Sequence, residues 1–266
     1  MKLFDYKNLI PSSYNMPAGR RDFLKDVTFL GALALLSSFV PACAQKTGSE
    51  TETNAPGNNG KNPGSEVFIP GVSAGLPAPK TESDVSIEET LLTRRSIREY
   101  KNEKLTLQEV SQILWAAQGT TSTRGFRTAP SASATYPLET YLIVGNVDGL
   151  ETGVYRYQTK QHDLFKVLDE DKMPLMTRTH MGRYFVEGGA IYLVFTGIYS
   201  RTGVGDEAKK FVHMEVGHAA QNVYLQAISL GLGTVVIGGF SAKRTSDMLD
   251  LSFNETPLYW MPVARI

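Results

Sequence analysis

A single cysteine, Cys43, excludes an intramolecular disulfide and any zinc or iron–sulfur site built from several thiolates. Surplus charge of either sign is equally missing. The 27 Lys and Arg balance 27 Asp and Glu, so no overall field draws the chain to nucleic acid or to anionic lipid. Histidine is scarce: His162, His180, His213 and His218 fall at no ligand spacing such as His-Glu-x-x-His, so structural imidazoles and no metal are expected. The apolar run from Val27 to Val40 is short of the ~20 residues that span a bilayer, which favours a cleaved segment over a permanent anchor. No internal repeat is visible.

That run has informative flanks. Arg20-Arg21-Asp22-Phe23-Leu24-Lys25 precedes it and Val40-Pro41-Ala42-Cys43 follows, giving a basic region, a short apolar region and a cleavage-type end. The first flank resembles the twin-arginine export motif, and the second resembles a bacterial lipoprotein cleavage site, which makes Cys43 the expected lipidation site. Val40 and Pro41 depart from the leucine and small residue usual there, and a retained, uncleaved anchor ranks second. Met16 offers an alternative start to Met1. The expectation is a protein exported to the bacterial cell envelope, lipid-anchored at Cys43 and touching the membrane by that anchor only.

Gly, Pro, Ser, Thr and Asn dominate the next stretch, which reads as a flexible tether. The expected organisation is therefore a signal over 1–43, a linker over 44–79 and one folded domain over 80–266. Hydrophobic residues at 42% are enough for a substantial core in that domain.

Ser86 with Glu89, and Thr106 with Glu109, have capping-box spacing, predicting a helix leading into Arg94 and another over Leu107 to Gln118 that Gly119 closes. Tyr141 to Val144, Val154 to Tyr157, Leu164 to Val167 and Ile191 to Thr196 read as strands. Val216, Ala220, Val223, Ala227 and Leu230 recur at helical spacing within Glu207 to Leu230, with Gly231 as the stop. Glu215, His218 and Asn222 form a second, polar stripe, the ordinary mark of a solvent face. Val235 to Ile237 and Leu258 to Val263 complete the strands, so the class is α+β, a mixed sheet flanked by helices.

Arg94, Arg95, Ser96 and Arg98 crowd three guanidinium forks and a hydroxyl behind the first helix, a donor set suited to a phosphate. Alone, such a cluster is more often solvated surface. Two later stretches accompany it: Ala129-Pro130-Ser131-Ala132-Ser133-Ala134-Thr135-Tyr136-Pro137-Leu138-Glu139 and Gly231-Leu232-Gly233-Thr234-Val235-Val236-Ile237-Gly238-Gly239-Phe240.

With the helix Glu215 to Asn222, these motifs, in this order, resemble the FMN-dependent nitroreductase family, in particular the branch that includes the peptide azoline dehydrogenases. The likeness covers about Ser86 to the end. It implies a homodimer with FMN at the subunit interface: Arg94 and Ser96 on the phosphate, Arg95 at the phosphate or ribityl end and Arg98 at the pyrimidine edge. It also implies Pro130, Ser131, Ala132, Ser133 and Ala134 beside the ring, usually from the partner subunit, and Ile237, Gly238 and Gly239 presenting backbone amides near N5 and O4. Ser133 and Ala264 stand where glycine is frequent in the family. The chain stops at Ile266, short of a basic tail found in some relatives, and Arg265 is the residue placed to substitute for it.

The chemistry implied is transfer of two electrons, as hydride through flavin N5, from a donor (NAD(P)H in vitro) to a small acceptor such as a nitroaromatic or a quinone. No side chain is required as catalyst; Glu215, His218 and Tyr136 are the candidate proton donors. Two alternatives stand beside it: an azoline dehydrogenase acting on a modified peptide, and a non-catalytic flavin-binding or scaffold lipoprotein of the envelope.

Overall fold

Alternating and continuous apolar runs build one large sheet, and helices cover both of its faces. In the computed structural model, which describes residue 71 and residues 73–178 and 189–266, the elements in chain order are β1 (Ser73–Gly75), α1 (Ile87–Thr93), β2 (Leu105–Thr106), α2 (Leu107–Gln118), β3 (Leu138–Val144), β4 (Val147–Asp148), β5 (Gly153–Gln158), β6 (Asp163–Leu168), α3 (Met173–Arg178), β7 (Ile191–Gly197), α4 (Gly205–Ser229), β8 (Leu232–Thr234), α5 (Ala242–Leu249) and β9 (Thr256–Arg265). The export motif, Cys43, both candidate starts, His180 and most of the expected tether lie outside the described residues.

Seven strands pair in the order β1-β6-β5-β3-β7-β9-β8, antiparallel at every step. Parallel pairing occurs in the short β2–β4 ladder. Strand β1 pairs Ser73 with Phe165, so sheet pairing reaches into the stretch read as tether.

Side-chain alternation along β3 and β7 divides the core in two. Leu142, Val144, Leu193 and Phe195 pack with Ile113 and Leu114 of α2 and with Val216, Ala220 and Val223 of α4. Tyr141, Ile143, Tyr192 and Val194 point the other way, toward Met176 of α3 and Leu249 of α5. A sheet buried on both faces explains why its central strands are almost continuously apolar.

Local signals set the helix ends. Ser86 Oγ accepts from the Glu89 N–H at 3.1 Å, and Thr106 and Glu109 close a reciprocal capping box. Gly231, at φ +67°, turns the chain directly from α4 into β8. Pairing therefore begins at Leu232, and the strand expected over Val235–Ile237 ends at Thr234 instead. Beyond it Ile237 makes a single bridge with Trp260, while the Val236 N–H is taken by the Tyr224 hydroxyl.

Candidate functional site

The first and third motifs meet beside the C-terminal half of α4. The Ile97 N–H donates to Thr234 O at 3.0 Å, laying the Arg94–Arg98 segment along the end of β8. Gly233 makes that approach feasible: a Cβ there would stand 2.9 Å from Ile97 Cγ2 and 2.3 Å from Ile266 Cγ2. The Tyr100 hydroxyl holds the same segment from the other side, donating to Ile97 O at 2.6 Å. Burial pushes the pKa of Tyr100 well above the ordinary phenol value, keeping it a donor.

Tyr224, which the sequence reading passed over, is the hub of this junction. Its hydroxyl accepts from the Val236 N–H at 2.8 Å and lies 3.0 Å from Ser96 Oγ. The Arg94 guanidinium sits over its ring, 5.0 Å from the centroid. A tyrosine on the half-buried side of a helix carries a hydroxyl that needs a partner, and that was the available signal.

Around this hub Arg95, Ser96 and Arg98 are exposed and Arg94 is half-buried. Arg95 curls back to the end of α1, donating to Leu92 O and Arg94 O, and Arg98 reaches Ser96 O at 3.4 Å. Open space stands where Gly239 would carry a Cβ, and a Cβ on Gly238 would meet the Tyr259 ring at 3.4 Å. A flat ligand can therefore approach this backbone closely.

Arg265 is not part of that cluster. Its fork is held by Glu109, with Nη1–Oε1 at 2.7 Å and Nη2–Oε2 at 3.0 Å. The geometry makes it a tie between β9 and α2.

The second motif packs against the other half of α4. Ser133, Ala134 and Tyr136 take φ of +52°, +54° and +46°, a left-handed cluster that costs side-chain-bearing residues free energy. Glycine is the residue that would take up this conformation without strain. Ser131 steadies the loop: its Oγ accepts from the Tyr136 N–H at 2.9 Å, and its hydroxyl favours the charged form of Glu215. Arg127 lies over the Tyr136 ring at 4.5 Å and donates to Gln118 Oε1 at 2.8 Å. Arg201 pairs with Glu139 at 2.6 Å behind the loop.

Glu215 is buried at 2% exposure, while His218 is exposed and Asn222 half-buried, so the expected polar stripe divides into a core carboxylate and surface groups. Burial raises the pKa of Glu215, opposed by the Ser131 hydroxyl and the nearby Arg127. Burial also lowers the pKa of Arg127. Glu215 Oε1 has no hydrogen-bond partner among the described residues.

Glu215 and Tyr224 are nine residues apart on one helix. At ~3.6 residues per turn and ~1.5 Å rise, they point to opposite sides and are separated by about 13 Å along the axis. One chain therefore joins the first and third motifs but holds the second elsewhere.

His162 is bonded at both ring nitrogens, Nδ1 with Tyr157 Oη at 2.8 Å and Nε2 with Ser111 Oγ at 2.8 Å, and His213 Nε2 lies 2.8 Å from Tyr199 Oη. Among the described residues no group of three His, Cys, Asp or Glu is placed to hold a metal ion. Nor is any helix among them long and apolar enough to cross a membrane.

Comparison with known proteins adds a family to this geometry. Residues 91–265 match the family model described as the nitroreductase family. A protein of Methanocaldococcus jannaschii, named as a nitroreductase, is 46% identical over 184 residues, covering 68% of this chain and 92% of its own length. A nitroreductase crystal structure from Ralstonia eutropha aligns with a TM-score of 0.64 at 29% identity, over 73% of this chain and 89% of that one. The E. coli microcin synthetase McbBCD complex, with truncated pro-MccB17 bound, aligns at TM-score 0.57 and 20% identity over 71% of this chain and 76% of that one, a likeness of fold alone. The α+β architecture, the three motifs and these matches agree: the chain belongs to the nitroreductase family.

Proposed function

We propose that the protein is an exported FMN-dependent oxidoreductase that passes two electrons from a donor, NAD(P)H in vitro, to a small acceptor such as a nitroaromatic or a quinone. The observation that carries this reading is the junction of Arg94–Arg98 with Thr234–Gly239 through Ile97 and Tyr224. It brings cations and a hydroxyl to one end of a surface and open backbone to the other. Those are the requirements of a ligand with a phosphate at one end and a flat ring at the other.

FMN fits this donor set. When bound, it would supply reversible hydride chemistry at N5. Arg94 and Ser96 would hold its phosphate, with Arg95 exchanging its present carbonyl contacts for the phosphate or ribityl end. Arg98 would lie at the pyrimidine edge, where positive charge stabilises the electron-rich reduced ring. The amides around Ile237, Gly238 and Gly239 would face the reacting side, the two glycines leaving room for both ring and acceptor.

Pro130–Ala134 would come from a second copy of the chain. The opposite placement of Ser131 and Ser96 about α4 supports this, because neither can join the other's site within one chain. The exposed Phe211 and Met214 on α4 give a second copy an apolar surface to cover. Electron donor, acceptor, homodimer and lipid anchor at Cys43 belong to the same proposal.

The test is the visible absorption spectrum of the purified protein, with identification of any flavin released on denaturation. About one FMN per chain that bleaches with a two-electron reductant is the expected result. Colourless protein that cannot be reconstituted with FMN would instead favour a scaffold role.

A further inference from the structure

Three contacts on Tyr224 determine how Ser96 can bind a ligand. A phenol carries one hydrogen and two lone pairs. The Val236 N–H already occupies one lone pair at 2.8 Å. Ser96 Oγ, at 3.0 Å, can then stand toward Tyr224 either as acceptor or as donor. As acceptor it takes the phenolic hydrogen and turns its own hydrogen outward. As donor it points that hydrogen inward and offers only lone pairs to the outside.

The two orders suit different ligands. A phosphate dianion has acceptors alone, so it favours the chain Val236 N–H to Tyr224 O–H to Ser96 O–H, each bond polarising the next. A neutral ribityl hydroxyl can meet either order. The same tyrosine offers its ring face to the Arg94 guanidinium at 5.0 Å, so one residue engages both Arg94 and Ser96.

We infer that Tyr224 is a positioning residue that makes this end of the site selective for a phosphate, by setting Ser96 as a donor and seating Arg94 against its ring. The inference rests on the reading that Arg94 and Ser96 hold the phosphate of FMN. Tyr224 also ties phosphate recognition to the ring end, because the Val236 amide that starts the chain lies just before Ile237, Gly238 and Gly239.

The experiment uses full-length apoprotein and two probes, FMN and riboflavin, which differ by the phosphate; dissociation constants are read from quenching of flavin fluorescence. In Y224F the ring stays and the hydroxyl goes. The FMN-to-riboflavin preference should fall roughly three- to tenfold, almost entirely through FMN. S96A should give a similar fall, and the double variant little more than the larger single one, since both remove links of one chain. Replacing Tyr224 with 3-fluorotyrosine keeps the shape while making the hydroxyl a better donor, so it should raise the preference, and it serves if Y224F does not fold.

Equal weakening of both flavins in Y224F would overturn the inference, because loss of a partner for the Val236 amide is a packing effect blind to phosphate. So would a wild-type preference for FMN that survives Y224F or is unmoved by 3-fluorotyrosine. A wild-type protein that binds both flavins equally would overturn the phosphate reading itself, and this inference with it.

Discussion

Arg265 and Glu109 form a two-point fork, 2.7 and 3.0 Å between nitrogen and oxygen, that ties the end of β9 to the first turn of α2. Glu109 has a second duty there, since its Oε2 also accepts the Thr106 N–H at 2.8 Å and closes the capping box. Removing Arg265 loses one of these functions; removing Glu109 loses both. Arg265→Ala should destabilise the fold by about 1–2 kcal/mol and Glu109→Ala by more, measured by denaturant unfolding. FMN affinity of the folded Arg265→Ala protein should stay within about twofold of wild type, because its fork faces Glu109; a larger loss would return Arg265 to the phosphate site.

Arg94→Ala gives the contrasting pattern. A charge-assisted bond to phosphate contributes about 1.5–3 kcal/mol, so FMN affinity should fall roughly ten- to hundredfold. Stability of the apoprotein should change little, since the Arg94 side chain is half-exposed. Flavin titration beside thermal unfolding separates the two effects. Unchanged FMN affinity in Arg94→Ala would place the phosphate elsewhere.

Gly233→Ala tests whether the first and third motifs depend on close approach. The added Cβ would lie 2.9 Å from Ile97 Cγ2 and 3.0 Å from Ile97 Cβ. Ile266 is exposed and has room to move aside, but Ile97 is β-branched and pinned by its bond to Thr234 O. Overpacking of this kind costs about 1–3 kcal/mol. Because Ile97 adjoins Ser96, flavin binding should weaken along with stability, whereas an unaltered Kd would show that the two segments move independently.

What could be read in advance was local. Ser86, Thr106 and Gly231 mark helix ends because a cap involves residues three or four apart, and strands β3, β5, β6 and β7 announce themselves by apolar runs. Helix α5 escaped because it is short and mostly polar, leaving the Ser241 cap as its sole clear mark. The three motifs were legible as segments, but their partition between the two halves of α4 was not. Tyr224 meets Ser96 across 128 residues, and nothing in the spacing of either residue encodes that contact. The left-handed run at Ser133, Ala134 and Tyr136 was hidden for another reason: side-chain-bearing residues there conceal a conformation that glycine would have advertised.

Glu215 provides a prediction in pH. Burial raises its pKa above the ordinary 4.5, so the folded protein holds this proton more tightly than the unfolded chain does. The resulting stabilisation is complete below 4.5 and is lost as pH rises through the folded-state value. Glu215→Gln does not titrate, while Glu255, whose pKa burial also raises, is common to both proteins and cancels in the difference. The stability of wild type relative to Glu215→Gln should therefore decline from pH 4.5 upward and then level off. Ser131 supplies the control, because its hydroxyl favours the ionised carboxylate. In a Ser131→Ala background the decline should extend to higher pH. A difference independent of pH in both backgrounds would show that Glu215 titrates as an ordinary surface carboxylate and that its link to the Pro130–Ala134 loop is not made in solution.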